Sequence, residues 1–480
     1  AQVLSQAGKT QFHCAESEKF AHVTFFFNGG ENQPFPGEDD VCIPSPKGID
    51  FDQQPELSLP KVTDTLLDAL GKYDFIVTNF ANGDVIGHTQ NTAAKIEACG
   101  HVSRALEKVV GDALSKGYVV AVTADHGNIE KLYTAAGKPD GAHTTNLVPF
   151  VLMDPADPSP ITLHDGSLGD VAPTVLDIMG IPQPPEMTGR SLAEGKVWGK
   201  NRKMLLIICD GWGLGTGDDG DAIHLADTPY WDSLLAEQSW SKLHASGEHV
   251  GLGTGKAGNS EAGHSNLGAG RCVMQDDVRL DAAVKDGSFQ RTPAFLEAVE
   301  HVKKNHSSLH LISYLTYKSS HGCIDYPLAI CRMAKEQGLD QVYLHIIFDG
   351  RSTEPGSAPD MLSWLDGQLE EIGIGRVVDG VGRGVALDRD KNYDKVKRAY
   401  DRYGRPRHPL SSVKLPGKPQ DVQLLIVKMQ TLIDVEQVCA VKYILRWDGK
   451  FCWIVPICVR LRNDKNPVFR AWQPSRSICR

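Results

Sequence analysis

The chain has 480 residues, of which 41% are hydrophobic and 23% are charged, and its formal net charge is −10. The length suggests about three domains, and the apolar content excludes a disordered chain. The acidic balance excludes a general nucleic-acid binder, which would need a basic surface.

The first part of the chain alternates between short apolar runs and amphipathic stretches. Four runs rich in Val, Ile and Phe predict buried strands at 22–27, 74–80, 118–124 and 148–153. Amphipathic stretches predict helices at 59–73 and 92–117, with a last helix and a Pro-rich exit at 173–192. This alternation predicts an α/β fold with a mostly parallel sheet covered on both faces.

A polar connector at 193–203 leads into a second α/β stretch. It begins with the strand MLLIIC (204–209) and continues to about residue 400, with further strands at 309–315 and 341–348. The remaining tail, 401–480, is of a different kind, because residues 405–480 hold 14 Lys and Arg against 5 Asp and Glu. Three interpretations of this tail stay open: a spliced-in segment, a basic arm that binds a partner, or a substitute for part of the preceding domain.

Membrane, secretion and redox signals point to a cytoplasmic protein. No apolar run reaches the roughly 18 residues of a membrane-spanning helix, and no signal-peptide pattern is visible at the start. The eleven cysteines are scattered without a CxxC pair, which is typical of reduced cysteines in a cytosolic enzyme.

Three aspartates follow the ends of predicted strands: Asp84, Asp125 and Asp210. One aspartate in such a position is usually a helix cap or a turn residue. In open α/β sheets, however, ligands bind beyond the carboxyl ends of the strands. We therefore expect the three carboxylates to converge on one crevice.

Histidines accompany these aspartates. His88 is four residues after Asp84 and shares its helical face, whereas His126 directly follows Asp125, and His143 lies in a Gly-containing loop. The mixed oxygen and nitrogen donors predict a binuclear site for Mn²⁺, Zn²⁺ or Mg²⁺. Ser260 lies in a Gly-rich segment (253–271) that is either a phosphate cradle or a surface turn. Next to two metal ions, Ser260 becomes a candidate nucleophile.

Long motifs in both α/β stretches resemble one enzyme family. The chain is similar to the cofactor-independent (2,3-bisphosphoglycerate-independent) phosphoglycerate mutases of the alkaline phosphatase superfamily, over about residues 3–192 and 203–400. The motifs are HVTFFFNGG, PFPGEDD, NFANGDVIGHT, TADHGN, AHTTNLVPF, LLIICDGWG and GNSEAGHSNLGAGR. The resemblance implies an alkaline-phosphatase-like sandwich built from residues 1–192 and 204–278, and a partial transferase-like domain at 279–400.

The resemblance also implies roles for individual residues. Ser260 would carry the phosphoryl group between 3-phosphoglycerate and 2-phosphoglycerate, with Lys19 as the active-site lysine and His321 as a substrate-binding proton-transfer group. One metal ion would be held by Asp84, His88 and His143, and the other by Asp125, His126, Asp210 and Ser260. Substrate-binding arginines would be Arg351, Arg383 and Arg389. Two divalent ions are expected, first of all Mn²⁺, with Zn²⁺, Mg²⁺ or Co²⁺ as alternatives, and no 2,3-bisphosphoglycerate.

The chain departs from the family pattern in three ways. The stretch that comes first in the family comes second here, which predicts a circular permutation through the connector. The second half of the transferase-like domain, with its F-N-F-R type motif, is absent. A polar substrate contact is also lost, because Ser352 replaces an acidic residue.

Three functional hypotheses follow. The chain is a metal-dependent phosphoglycerate mutase of glycolysis, a metal-dependent phosphomonoesterase that uses the same site, or a rearranged inactive relative. We expect the chain to bind phosphoglycerate as its small-molecule partner and to bind neither nucleic acid nor a membrane. We also expect a monomer that can self-associate through the partial domain and the tail.

Overall fold

The fold comes from a computed structural model, which divides the chain into two compact units, Ala1–Gln275 and Asp276–Arg480. Side chains are described over residues 1–157, 159–199, 201–317, 322–350, 352–354, 356–388 and 392–400. Backbone alone is described over 401–404, 423–425, 443–447 and 450–456. Each unit is considered by itself, and the domain boundaries predicted within them stay predictions.

The first unit is built on one eight-stranded sheet with the order β2-β1-β3-β7-β4-β5-β8-β6. The strands from β2 to β4 in this order run parallel, whereas β5 is antiparallel to both β4 and β8. The strands are β1 (Gln11–Glu16), β2 (Glu38–Ile43), β3 (Phe75–Phe80), β4 (Tyr118–Thr123), β5 (Val148–Met153), β6 (Gly166–Ser167), β7 (Lys203–Cys209) and β8 (Ser239–His244).

Among the described residues of the first unit, eight α-helices accompany this sheet. They are α1 (Gln2–Gln6), α2 (Leu59–Ala69), α3 (Asn82–Gly87), α4 (Thr92–Ser115), α5 (Val171–Met179), α6 (Ala222–Leu225), α7 (Pro229–Glu237) and α8 (Ser260–Ala269). Short 3₁₀ turns lie at Phe51–Gln53, Leu168–Asp170 and Gly247–Val250. The long helix α4 begins where the Asn91 side chain accepts a hydrogen bond from the amide of Ala94 at 3.2 Å.

The central strand β7 explains how both α/β stretches of the sequence share one core. It lies between β3 and β4, so a strand from beyond the connector pairs on both sides with strands from residues 1–192. Residues 204–209 are all buried, which is why this strand is an unbroken apolar run rather than an alternating one. The predicted α/β class with a mostly parallel sheet is confirmed.

One predicted strand is wrong. The run HVTFFF at 22–27 forms a π-helical turn at His22–Phe26, and the strand is instead the more polar segment QFHCAE of β1. A short apolar run does not distinguish a buried strand from a buried helix by its period. The sequence did not indicate strand β1, because polar residues are interspersed with the apolar ones in it. All six residues of β1, the polar ones included, are nevertheless buried in the structure.

The second unit is a six-stranded sheet with the order β11-β10-β9-β14-β13-β12. Strands β9, β10, β11 and β14 run parallel to one another. Strand β13 is antiparallel to both of its neighbours, β14 and β12. The strands are β9 (Leu309–Leu315), β10 (Val342–Phe348), β11 (Arg376–Gly382), β12 (Gln423–Leu425), β13 (Tyr443–Trp447) and β14 (Lys450–Pro456). The helices are α9 (Asp276–Asp286), α10 (Pro293–Asn305), α11 (Asp325–Glu336), α12 (Ala358–Ile372), α13 (Arg383–Ala386) and α14 (Tyr393–Gly404), with a 3₁₀ turn at Phe289–Arg291.

Each unit has its own apolar core. In the second unit the core is formed by α10, α11 and α12 against β9 and β10, with Leu311, Leu344 and Leu365 fully buried. Within the described part of the chain, no helix combines the length and the apolar character needed to cross a membrane.

Candidate active site

The carboxyl ends of three adjacent parallel strands bring the three predicted aspartates together. Asp84 lies in the first turn of α3, just beyond β3, whereas Asp125 and Asp210 directly follow the strand ends of β4 and β7. All three are buried, with at most 5% of their surface exposed. The predicted convergence on one crevice therefore agrees with the geometry of the sheet.

Three histidines surround one oxygen of Asp84. Its Oδ1 atom lies 3.0 Å from His143 Nε2, 3.3 Å from His88 Nε2 and 3.7 Å from His126 Nε2. The other ring nitrogen of each histidine bonds a main-chain carbonyl: His88 Nδ1 to Gly141 O at 2.8 Å, His126 Nδ1 to Gly127 O at 3.2 Å and His143 Nδ1 to Gly258 O at 2.8 Å. When Nδ1–H donates a hydrogen bond to a carbonyl, Nε2 of the neutral ring carries no proton and offers its lone pair to a metal ion, which is the arrangement of metal-binding histidines.

Ser260 is the first residue of α8 and points at the same cluster. Its Oγ atom lies 2.7 Å from Lys19 Nζ, 3.0 Å from His126 Nε2 and 3.1 Å from Asp210 Oδ1. Asn259 caps the helix, since its side chain accepts a hydrogen bond from the amide of Ala262 at 2.8 Å. A hydroxyl at the start of a helix lies where the backbone amides favour an anion.

Lys19 is the buried cation of the cluster, with only 4% of its surface exposed. Its Nζ atom lies 2.5 Å from Asp84 Oδ2 and 2.8 Å from Asp210 Oδ1. Burial alone would lower the pKa of Lys19, but Asp210, Asp84 and Asp125 outweigh that effect and raise the pKa above its ordinary value. Lys19 is therefore an ammonium ion that bonds two carboxylates and the candidate nucleophile.

The cluster also perturbs the carboxylates and His126. Burial would raise the pKa of Asp84 and of Asp210, yet Lys19 and the neighbouring histidines hold both well below their usual range. Burial likewise opposes the charged form of His126, but Asp125, Asp210 and Asp84 raise its pKa to about 10. The buried carboxylates thus favour positive charge in the crevice.

The donor set fits divalent metal ions. Ligating atoms lie within 4.8 Å of one another in three overlapping groups: Asp84 with His88 and His143, Asp84 with His126 and Asp210, and Asp125 with Asp210 and His264. The buried Oδ2 atom of Asp125 accepts no hydrogen bond among the described residues, although His264 Nδ1 lies 3.2 Å away, so this oxygen is available to a metal ion. Carboxylate oxygens and imidazole nitrogens together suit Mn²⁺, Zn²⁺ and related ions. The assignment of each ligand to one ion stays a prediction.

Three polar residues of the site were not identified from the sequence. Asn79 donates to Asp210 Oδ2 at 2.6 Å, and Asn128 donates to Asp84 Oδ1 at 3.0 Å. His264 Nδ1 lies 3.2 Å from Asp125 Oδ2. A signal existed for His264, because it follows Ser260 by four residues and so lies on the same face of α8. No sequence spacing indicated Asn79 as a site residue, because it lies within a buried strand.

The predicted substrate-binding residues of the second unit are only partly described. Arg383 begins α13, and its Nη1 atom lies 2.6 Å from Asp349 Oδ1, beyond the end of β10. His321, Arg351 and Arg389 lie outside the described residues. Their predicted roles, like that of Arg383, stay predictions.

Two protein-family models match the chain. Residues 1–183 match the metalloenzyme superfamily, and residues 280–414 match the model described as the BPG-independent PGAM N-terminus. The model named for an N-terminus thus matches after the metalloenzyme stretch. The predicted circular permutation is compatible with this order and stays a prediction.

Curated relatives are similar over part of their length. A 2,3-bisphosphoglycerate-independent phosphoglycerate mutase of Akkermansia muciniphila is 50% identical over 192 residues, and one of Moorella thermoacetica is 51% identical over 191 residues. Each alignment covers 40% of this chain but only 37% of the relative.

A solved structure gives a looser match. A Leishmania mexicana phosphoglycerate mutase at low cobalt concentration overlaps 39% of this chain and 38% of its own, with 27% identity and a TM-score of 0.36, which is too low to carry an argument. The family models and the curated relatives, however, agree with the motifs: over the matched residues the chain is similar to the cofactor-independent phosphoglycerate mutases.

Proposed function

We propose that this chain is a metal-dependent phosphoglycerate mutase that interconverts 3-phosphoglycerate and 2-phosphoglycerate through a phosphoserine at Ser260. The observation that carries the proposal is the position of Ser260 Oγ, within 3.1 Å of Lys19, His126 and Asp210 at the start of α8. The names of the curated relatives support the substrate. Because the alignments span little more than a third of those relatives, the activity of the whole chain is a proposal.

The chemistry has two balanced halves. Ser260 Oγ forms a bond to phosphorus while the bond between phosphorus and the substrate oxygen breaks, and the hydroxyl proton of the serine ends on the glycerate oxygen. The other hydroxyl of the glycerate then takes the phosphoryl group and returns a proton to Ser260. Divalent ions bound by the Asp and His cluster supply positive charge that stabilises the transferring phosphoryl group.

The residues of the chain have separate tasks in this scheme. The Lys19 ammonium lies 2.7 Å from Ser260 Oγ and stabilises the negative charge that develops there. His321, Arg351, Arg383 and Arg389 are proposed to hold the phosphoglycerate, since its carboxylate and phosphate need cationic partners. We further propose Mn²⁺ as the metal, two ions per chain, a role in glycolysis, a cytoplasmic location and a monomer.

Phosphomonoester hydrolysis is the second candidate function. Every residue of the Asp, His, Lys and Ser cluster lies within Ala1–Gln275, so the phosphoryl-accepting machinery needs no residue of the second unit. If glycerate leaves before the second half-reaction, water takes the phosphoryl group from Ser260 and the product is free phosphate.

One assay distinguishes the functions. The metal-free protein is loaded with Mn²⁺ and incubated with 3-phosphoglycerate, and both 2-phosphoglycerate and free phosphate are measured. Production of 2-phosphoglycerate supports the mutase, free phosphate alone supports the phosphomonoesterase, and neither product contradicts both. Ser260→Ala is expected to lower either activity by at least about a thousandfold, because the nucleophile is removed.

A serine on the same helix provides the control. Ser265 is partly exposed, and among the described residues its hydroxyl donates only to the carbonyl of Glu261, at 2.7 Å. Ser265→Ala is expected to keep the parent activity within about twofold, as is usual for surface substitutions. Equal losses in the two variants would contradict the assignment of Ser260 as nucleophile.

A further inference from the structure

A further buried carboxylate lies behind the candidate metal ligands and is not one of them. Glu130 follows Asp125 and His126 in the loop after β4, with 2% of its surface exposed. Its Oε2 atom accepts hydrogen bonds from the amides of Asn128 at 2.8 Å and Gly213 at 3.1 Å. Its Oε1 atom accepts from Thr144 Oγ1 at 2.5 Å and from Asn146 Nδ2 at 2.9 Å.

Two glycines make room for this carboxylate. A Cβ atom on Gly213 would lie 2.4 Å from the Glu130 carboxyl carbon, and a Cβ atom on Gly127 would lie 2.4 Å from Glu130 Oε1. Neither distance is tolerated by a real side chain. The backbone of both loops is therefore shaped around the Glu130 carboxylate.

The four donors come from three loops, and each loop carries candidate metal ligands. Asn128 is in the loop of Asp125 and His126, Thr144 follows His143, and Gly213 is three residues after Asp210. These loops also bond one another directly, since the amide of Thr144 donates to the Gly127 carbonyl at 2.9 Å, and that of Asn128 donates to the Gly211 carbonyl at 3.1 Å. The connection extends to a fifth candidate ligand, Asp84, because the Asn128 side chain donates a hydrogen bond to its carboxylate.

We propose that Glu130 is a positioning residue that fixes the three ligand loops at the spacing required to bind divalent metal ions. It does not itself bind metal, because each of its oxygens already accepts two hydrogen bonds. The inference rests on the proposed function in one respect, namely that the cluster around Asp84 binds metal. Residues that orient ligands in this way typically contribute ~10- to 100-fold to metal affinity.

Two variants test the carboxylate. Glu130→Gln keeps the shape of the side chain and one of its two acceptor oxygens. Its NH₂ group, however, faces hydrogen-bond donors from which it cannot accept. Glu130→Ala removes both acceptor oxygens and with them all four hydrogen bonds. Asp154→Asn is the matched control, because Asp154 is also buried, follows β5 and bonds the Ala156 amide at 3.0 Å and Arg202, away from the ligand loops.

The measurement is Mn²⁺ binding to the full-length, metal-free protein by calorimetry, together with its thermal unfolding. We expect Glu130→Gln to weaken Mn²⁺ binding ~10- to 100-fold. Its melting temperature without metal should fall no further than that of Asp154→Asn, which should bind Mn²⁺ within about twofold of the parent. Glu130→Ala should weaken binding at least as much, and if it does not fold, Glu130→Gln decides.

Parent-like Mn²⁺ affinity in Glu130→Gln would overturn the proposal, and so would an equal loss in Asp154→Asn. A parent protein that binds no Mn²⁺ would overturn the proposed function, and this inference with it, before any variant is compared. A parent that binds Mn²⁺ but converts no phosphoglycerate would contradict the mutase alone, since affinity and not turnover is the measured quantity here.

Discussion

Glycines decide how closely the ligand loops approach one another. Gly211 directly follows Asp210 and has a φ of +71°. A Cβ atom there would lie 2.7 Å from the backbone nitrogen of Asp84, and one on Gly83 would lie 2.4 Å from the carbonyl oxygen of Asp210. Backbone from two strand ends is thus in direct contact, which holds Asp84 and Asp210 side by side.

Substitution of Gly211 tests this close approach. Gly211→Ala is expected to destabilise the protein by more than the ~1 kcal/mol that a left-handed alanine costs, and to weaken Mn²⁺ binding, because Asp84 must move. The control is Gly180→Ala, where φ is +68° but nothing lies within 4 Å of the added Cβ. Urea unfolding and Mn²⁺ calorimetry are the measurements. Parent-like Mn²⁺ affinity in Gly211→Ala would show that the contact does not position Asp84.

Glu16 at the end of β1 makes stability depend on pH. Burial raises the pKa of this carboxyl from 4.5 to about 7, although hydrogen bonds from Ser45 and the Ser58 backbone oppose the shift. The folded protein therefore retains a proton that the unfolded chain releases, so the stabilisation is present below pH 4.5 and is lost as the pH rises through about 7.

We expect the parent to lose about 2 kcal/mol more stability between pH 5 and pH 8 than Glu16→Gln does, since the amide does not titrate. The free energy of unfolding in urea at both pH values, without metal, measures this difference. Glu237→Gln is the control, because Glu237 is exposed at the end of α7. An identical pH dependence in the parent and in Glu16→Gln would refute the assignment.

At the scale of elements, α8 is the helix that presents the candidate nucleophile. Its N-cap Asn259 and its first residue Ser260 are adjacent, so the capping bond to the Ala262 amide also fixes the backbone from which the Ser260 hydroxyl extends. In the same way α3 carries Asp84, with His88 at its C-terminal cap. Helix ends, rather than helix faces, form this part of the site.

Removal of the cap should therefore affect stability and activity together. Asn259→Ala is expected to cost about 1 kcal/mol of unfolding free energy and to lower phosphoryl transfer, because the first turn of α8 loosens. Asn91→Ala removes the equivalent cap of α4, which bonds the Ala94 amide at 3.2 Å, and should cost a similar amount without a loss of activity. Equal activity of the two variants would contradict a role for the α8 cap in placing Ser260.

For the whole molecule, the decisive feature is that residues on both sides of the connector form one sheet. Strand β7 lies between β3 and β4, and the apolar core of the first unit includes residues from 4 to 267. The exchanged order that the resemblance predicts is thus compatible with a single sheet, because strand pairing depends on spatial neighbours and not on chain order.

A shortened chain of residues 1–275 should consequently fold and bind metal by itself. We expect one cooperative urea transition, and Mn²⁺ at a hundred times its Kd should add about 2.7 kcal/mol to the free energy of unfolding. Fluorescence of the tryptophans in this unit reports the transition. A non-cooperative transition, or one that Mn²⁺ does not shift, would contradict this prediction.

Local patterns in the sequence predicted much of the fold. The strands β3, β4, β5, β7, β9 and β10 were found from their apolar runs, since a strand buried on both faces needs little but Val, Ile, Leu and Phe. The missed strand β1 and the wrong strand at 22–27 mark the limit of this approach. There, burial decided the structure, and burial is a property of the neighbours rather than of the segment.

The site divides in the same way. By itself the sequence determined the residue types of the chemistry, because Asp and His at strand ends and Ser260 in a Gly-rich segment are local features. Only the tertiary structure decided that three histidine nitrogens surround one oxygen of Asp84, that Lys19 bonds Ser260, and that Glu130 joins three loops. These contacts join residues up to 241 positions apart. Their geometry is set by the order of strands in the sheet and by the glycines that let the backbones meet.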